Sequence, residues 1–317
     1  MHSLHSFQTI DFSKIGDSNK WNLHPFLLPE KLPGRLIESI QKVGLLQLPI
    51  LQETSPEDYQ LICGRSRLQA FKLTTPDTNV ISCLIIPKEA SPEKLLSYTL
   101  EDQLLSGELT VMEKAYFFSY CLKYLAIETT AKKYLPLLNE KVQPHSIAKL
   151  LNLLKLEEPI QTSVHRGIIG EKIAYELLTL TEEDRDTVYT KIIELKLGGG
   201  KQKRFLSLCK DLAYRENITI TELLHKKELR DILVLPQGNE PQKAAVLLAT
   251  MQKLLFPQSD SAEELFKRKV TAMKLPHNCT VAHSLSFETD AITLTVQFKN
   301  LLEMEKQIPQ IRSITEE

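Results

Sequence analysis

Apolar residues recur at helical spacing at Leu36, Ile37, Ile40 and Val43 and stop at Gly44, which predicts a helix that ends there. Pro49-Ile50-Leu51 reads as a strand. Tyr59-Gln60-Leu61-Ile62-Cys63 is a short apolar run of the kind found in buried strands, and it stops at Gly64. A helix is predicted from Arg65 to Leu73, and a third strand from Val80 to Ile86. Strand and helix patterns thus alternate over about the first 125 residues, as in an α/β domain.

The pattern becomes helical from Leu109 to Tyr134, with Met112, Ala115, Tyr116, Phe118 and Leu122 at apolar positions, and helical periodicity continues to about Leu235. Leu150, Leu151, Leu153, Leu154 and Leu156 form a dense apolar segment, read as core because a zipper needs sustained heptads. Gly167 and Gly170 punctuate the helical region. Gly198-Gly199-Gly200 reads as a flexible joint or a turn before the basic residues Lys201, Lys203 and Arg204. The segment from Leu235 to Pro241 reads as a linker.

Two helical stretches follow the linker, separated near Pro257-Gln258-Ser259-Asp260. Next, Val281, Leu285 and Phe287 alternate, as do Ile292, Leu294, Val296 and Phe298, with Glu288-Thr289-Asp290 as the turn of a hairpin. A final helix is predicted from about Leu301. The expected fold class is α+β multidomain: an α/β domain over 1–108, an all-α domain over 109–235, and a small α+β domain with a β-hairpin over 236–317.

Composition narrows the class. A chain of 317 residues, 42% hydrophobic and 25% charged, is globular rather than disordered. Its net charge of -1 gives no global basic field, so any nucleic-acid surface must be local. Five cysteines stand singly without a C-x-x-C pair, which argues against a zinc site or a disulfide framework and suits a reducing compartment. No apolar run is long enough to span a bilayer, and Met1 to Trp21 holds no signal-like apolar stretch, so a cytoplasmic location without membrane partners is expected. His145, His165, His225 and His283 are not at metal-ligand spacing and read as surface or hydrogen-bonded histidines.

The candidate chemistry begins at Cys63-Gly64-Arg65-Ser66-Arg67-Leu68-Gln69-Ala70. A strand ends, glycine turns the chain, and a helix opens with two arginines. Helix N-termini present unpaired N–H groups and partial positive charge, and arginine forks match phosphate oxygens. The segment is therefore a phosphate-site candidate; the alternative is that its arginines are solvated or paired with Glu101 or Asp102. Those adjacent acids could hold a hard cation such as Mg²⁺ with phosphate oxygens, or form a solvated helix face.

The order of these segments resembles the ParB partition family. Gly44-Leu45-Leu46-Gln47-Leu48-Pro49-Ile50 is similar to the family's G-x-L-x-P-I. Gly64 to Ala70 is similar to G-E-R-R-x-x-A, and Glu101-Asp102 to the start of E-N-x-x-R. Leu109-Thr110 with Glu113-Lys114-Ala115 is similar to L-x-P-x-E-x-A. Ile147 to Leu156 resembles V-x-N-x-L-R-L-L-x-L, and Ile160-Gln161 with Val164 to Ile169 resembles V-Q-x-x-V-x-x-G-x-I-S. The likeness spans roughly residues 8 to 230.

The resemblance implies a ParB/sulfiredoxin-like N-terminal domain followed by a helix-turn-helix domain. It implies CTP binding with Mg²⁺, clamp closure on DNA, a homodimer, a partition ATPase as partner, and a nucleoid-associated location. Gly44, Gln47, Pro49, Gly64, Arg65, Ser66 and Arg67 would surround the nucleotide, with Glu101 and Asp102 on the metal side. Gln143, His145, Ser146, Lys149 and Asn152 would line the recognition helix, and Arg166, Lys172, Lys201, Lys203 and Arg204 would contact phosphates.

The departures from the family pattern carry information. Arg65 replaces the glutamate after the glycine, Ser66 the next arginine, and Asp102 the asparagine. Lys149 and Asn152 replace the asparagine and arginine of the recognition helix. These changes imply at most weak CTP hydrolysis, while the glycine, the helix start and two arginines keep the features of an anion site. Two other functions stay open: a degenerate adaptor that binds no nucleotide, and a nucleotide-dependent enzyme of the same fold with Glu38, Glu101 or Asp102 as base. Cys63 precedes the glycine and reads as strand core, not as a nucleophile.

Overall fold

The computed structural model describes residues 6–16, 19–23, 32–234, 239–284, 291–306 and 308. They fall into two compact units, Met1–Tyr189 and Thr190–Glu317. The chain is mixed α+β, with a five-stranded sheet and many helices.

The first unit opens with β1 (Ser6–Asp11) and β2 (Ile15–Gly16), followed by α1 (Gly34–Val43), β3 (Ile50–Ser55) and β4 (Asp58–Cys63). Then come α2 (Arg65–Thr74), β5 (Val80–Ile86) and α3 (Pro92–Leu104). The sheet order is β1-β5-β3-β4-β2. β1 runs antiparallel to β5, β5 parallel to β3, β3 antiparallel to β4, and β4 parallel to β2. Ile81, Cys83 and Ile85 alternate on β5 and meet Ile10, Leu51, Leu61 and Leu68 in one apolar cluster. Leu61, Ile62 and Cys63 are all buried, because both faces of β4 are covered at its end.

Three expected strands are present, but Val80–Ile86 is the fifth strand in chain order, not the third. The two additional strands lie at the sheet's edges. β1 buries only Ile10 and leaves Phe7 77% exposed, and β2 has two residues, so neither carries a clear apolar alternation.

The helical part of this unit holds α4 (Val111–Cys121), α5 (Ile127–Tyr134), α6 (Pro144–Asn152), α7 (Glu158–His165), α8 (Glu171–Leu177) and α9 (Glu182–Glu194), which runs across the boundary between the units. α4 is central and packs against α6 and α7. Phe117 is fully buried and meets Phe118 and Tyr134 edge-on, with ring centres 5.6 and 5.1 Å away. Leu150, Leu153 and Leu156 are buried, as expected of core. The helix nevertheless ends at Asn152, and Leu153–Lys155 tighten into a 3₁₀ turn.

The second unit contains α10 (Gly199–Glu216), α11 (Ile220–His225), α12 (Lys227–Val234), α13 (Glu240–Leu255), α14 (Pro257–Ala272), β6 (Cys279–His283) and β7 (Ile292–Val296). The glycine triplet is not a separate joint: Gly198 is the N-cap of α10, and Gly199 and Gly200 form its first turn. Likewise Asn239 caps α13 and Glu240-Pro241 open it, so the end of the expected linker is helical. Residues 235–238 lie outside the described residues. The antiparallel hairpin is present, with Val281 opposite Leu294. Leu285, Phe287 and the turn Glu288-Thr289-Asp290 lie outside the described residues, and Phe298 lies beyond β7. Residues 301–306 are helical. Among the described residues no helix is long and apolar enough to cross a membrane.

Candidate functional site

The N-terminus of α2 collects several of the expected site residues. β4 ends at Cys63, and Gly64 takes φ 88°, a left-handed conformation that glycine adopts without a Cβ penalty. A Cβ on Gly64 would also lie 3.1 Å from Nε and Nη2 of Arg67 and from the Pro49 backbone. The glycine therefore makes the turn and seats the Arg67 guanidinium over the start of its own helix. Arg67 Nη1 donates to Gln47 Oε1 at 2.8 Å, and Nη2 donates to Asp102 Oδ1 at 2.5 Å. One side chain thus ties α2 to α3 and to the segment after α1.

That geometry joins Gln47, Pro49, Gly64, Arg67 and Asp102. Gly44 ends α1 with φ 74°, and its N–H donates to the Ile40 carbonyl. Ser66 is exposed in the first turn of α2. Arg65 lies near Tyr120, whose phenol is pushed up to about 12 by burial and by Tyr116, with the Arg65 charge pulling the other way. Tyr120 in turn donates to the carbonyl of Asn22 at 2.5 Å. The sequence pattern did not single out this tyrosine.

The pairing given as the alternative to a phosphate site is present between Arg67 and Asp102, with both side chains about one-seventh exposed at 15% and 14%. Glu101 precedes Asp102 on α3 and is exposed. Two carboxylates suit a hard cation, and Mg²⁺ commonly completes its shell with phosphate oxygens. Among the described residues no group of three or more His, Cys, Asp or Glu converges on a metal position. Glu101 and Asp102 therefore fit Mg²⁺ only as partial ligands beside phosphates. Cys63 is buried, and burial, reinforced by the Asp102 charge, pushes its thiol up to about 12. It is not a thiolate at neutral pH.

The second set of candidate residues surrounds α6. α5 and α6 pack on each other, and Pro144 occupies the first turn of α6 with Gln143 as N-cap. Ile147 and Leu150 face the core, whereas Gln143, His145, Lys149 and Asn152 are exposed and Ser146 is half-buried. Lys149 Nζ lies 4.0 Å from Glu171 Oε1 and 4.4 Å from the ring centre of Tyr175. Arg166 and Lys172 are exposed at the end of α7 and the start of α8. Lys201, Lys203 and Arg204 are exposed on α10 of the second unit, where Arg204 Nη2 lies 3.4 Å from Gln252 Oε1.

A capping box sets the start of α4. Thr110 and Glu113 form it: the Thr110 Oγ1 accepts from the Glu113 N–H, and Glu113 Oε2 accepts from the Thr110 N–H. The pattern Thr-x-x-Glu ahead of an apolar run is legible in a sequence.

No family model matches the chain. The nucleoid occlusion protein of Oceanobacillus iheyensis is 29% identical over 181 residues, 55% of this chain and 60% of the relative. That of Halalkalibacterium halodurans is 30% identical over 159 residues, 50% of this chain and 52% of the relative. The Bacillus subtilis nucleoid occlusion protein is 28% identical over 185 residues, 54% of this chain and 62% of the relative. The chain thus spans between about half and three-fifths of these relatives' lengths.

Two crystal structures of the C-terminally truncated chromosome-partitioning protein ParB from Caulobacter crescentus also align. The complex with CTP-gamma-S aligns at 18% identity and a TM-score of 0.26, over 60% of this chain and 99% of that one. The complex with the centromeric parS site aligns at 15% identity and a TM-score of 0.34, over 63% of this chain and 98% of that one. The chain is thus similar in sequence to nucleoid occlusion proteins across about half of its length.

Proposed function

We propose that the chain is a ParB-like DNA-binding protein of the chromosome-partition, plasmid-partition or nucleoid-occlusion kind, switched by a CTP-type nucleotide in its N-terminal domain. Residues 1–108 form the pocket domain, 109–235 the helix-turn-helix domain, and 236–317 a C-terminal domain for self-association. The relationship to nucleoid occlusion proteins supports the DNA role and a cytoplasmic, nucleoid-associated location. One observation carries the nucleotide role: the Arg67 guanidinium laid over Gly64 at the start of α2, beside Gln47 and Pro49.

In this reading the chain's own residues perform simple tasks. The first turn of α2 offers backbone N–H groups to phosphate oxygens, Arg65 and Arg67 supply charge, and Glu101 and Asp102 would hold Mg²⁺. Mg²⁺ would neutralise charge between the acids and the phosphates. Gln143, His145, Ser146, Lys149 and Asn152 face the DNA bases, and Arg166 and Lys172 face its backbone, with Lys201, Lys203 and Arg204 supplying further phosphate contacts. Nucleotide then shifts a population of dimers between open and closed states on DNA.

Calorimetric titration of CTP, ATP and GTP with Mg²⁺ into wild type and Arg67→Ala tests the pocket. CTP-selective binding lost in the variant is the expected result. Absence of binding by every nucleotide would sink the switch. It would favour the second reading, an adaptor, which has support of its own in the two internal partners already held by Arg67.

A further inference from the structure

We infer that Asp102 is an internal counter-anion that competes with phosphate for the Arg67 fork and thereby sets the affinity of the pocket. The inference rests on the nucleotide reading above and concerns this chain's own substitution at that position. Guanidinium recognises phosphate through paired N–H donors on one edge. Here Nη2 already meets a carboxylate at 2.5 Å and Nη1 meets an amide oxygen at 2.8 Å. Both members of the ion pair are largely withdrawn from water, so solvent screens it weakly. Its position is fixed from below as well, since the guanidinium packs against Gly64, where even a Cβ would approach to 3.1 Å.

An incoming triphosphate therefore meets a carboxylate where it needs the arginine. It must separate Arg67 from Asp102, or bring a cation that turns the carboxylate from rival into ligand. An asparagine at this position would keep an oxygen acceptor for Nη2 and remove the rival charge. Asp102 thus acts on the affinity for phosphate and not on the choice of base.

The test titrates CTP and inorganic tripolyphosphate, each with and without Mg²⁺, into the full chain as wild type, Asp102→Asn, Arg67→Ala and the double variant, with thermal melts confirming folding. Without Mg²⁺, where Asp102 is only a rival, Asp102→Asn should bind both ligands at least about tenfold more tightly, the scale of removing a like charge beside an anion. The gain should vanish in the Arg67→Ala background. Binding by Asp102→Asn alone, with none by wild type, supports the same device in a tighter form. Equal or weaker binding by Asp102→Asn without Mg²⁺, where wild type binds, overturns the inference and leaves the nucleotide reading standing. No binding by either overturns both. If Arg67→Ala fails to fold, Arg67→Lys, which keeps the charge without the fork, takes its place; persistence of the full gain there overturns the inference.

Discussion

Thr110 Oγ1 lies 3.0 Å from Nδ1 of His165, so the residue that caps α4 also holds the last residue of α7. The hydroxyl therefore joins the start of α4 to the end of α7. Thr110→Ala should destabilise the protein by about 1–2 kcal/mol, the usual cost of losing a hydroxyl cap. Thr110→Ser, which keeps the hydroxyl, should recover most of it. Urea denaturation followed by circular dichroism measures both.

Gly64→Ala should be more damaging than its size suggests. The residue holds φ 88°, and the added methyl would press on the Pro49 backbone and the Arg67 guanidinium at 3.1 Å. Left-handed strain alone costs about 1–2 kcal/mol. We expect a lower melting temperature and weakened nucleotide binding together. An unchanged melting temperature would show that the turn does not need glycine.

Lys149 and Glu171 give opposite predictions for DNA. Removing the lysine in Lys149→Ala should weaken binding across sequences and lower the salt slope by about 0.9 for one lost phosphate contact. If Lys149 reads bases instead, the loss will depend on sequence and the slope will hold. Glu171→Gln frees Lys149 from its acidic neighbour 4.0 Å away and should strengthen binding. Fluorescence anisotropy at several salt concentrations reads both variants.

Alkaline pH should unfold the protein before its buried thiols react as thiolates. Burial raises Cys63 and Cys83 from 9.0 to about 12, and Tyr120 and Tyr175 from 10.0 to about 12. The folded state thus favours the neutral forms, and their stabilisation is complete below pH 9. It is lost as pH rises through the window from about 9 to about 12. Melting temperature should be insensitive to these groups near neutrality and fall across that window. In the native protein a thiol reagent should modify the half-buried Cys279 first, because Cys63, Cys83, Cys121 and Cys209 are buried.

Much of the fold was legible because it is locally encoded. The apolar spacing from Leu36 to Val43 and the stop at Gly44 match α1, and Tyr59–Cys63 with the following glycine match the end of β4 and the start of α2. Pro144 at the head of an amphipathic segment matches α6. The edge strands were not legible, because Ser6–Asp11 buries one residue and Ile15–Gly16 is too short to alternate. The glycine triplet misleads for a related reason: glycine is a weak helix former, but Gly198 can cap α10 while tertiary packing of its later apolar face holds the helix.

Sequence alone determined where chain segments begin, end and turn, since capping, glycine conformation and apolar period act within a few residues. It also placed two arginines at a helix start. Tertiary structure decided which of the possible partners those charges meet. Arg67 finds Asp102 across 35 positions and Gln47 across 20, because the sheet brings α2, α3 and the segment after α1 to one end. Lys149 rests over Tyr175 by the packing of helices remote in sequence. Such pairings depend on strand order and helix packing, and neither leaves a periodic trace in the chain.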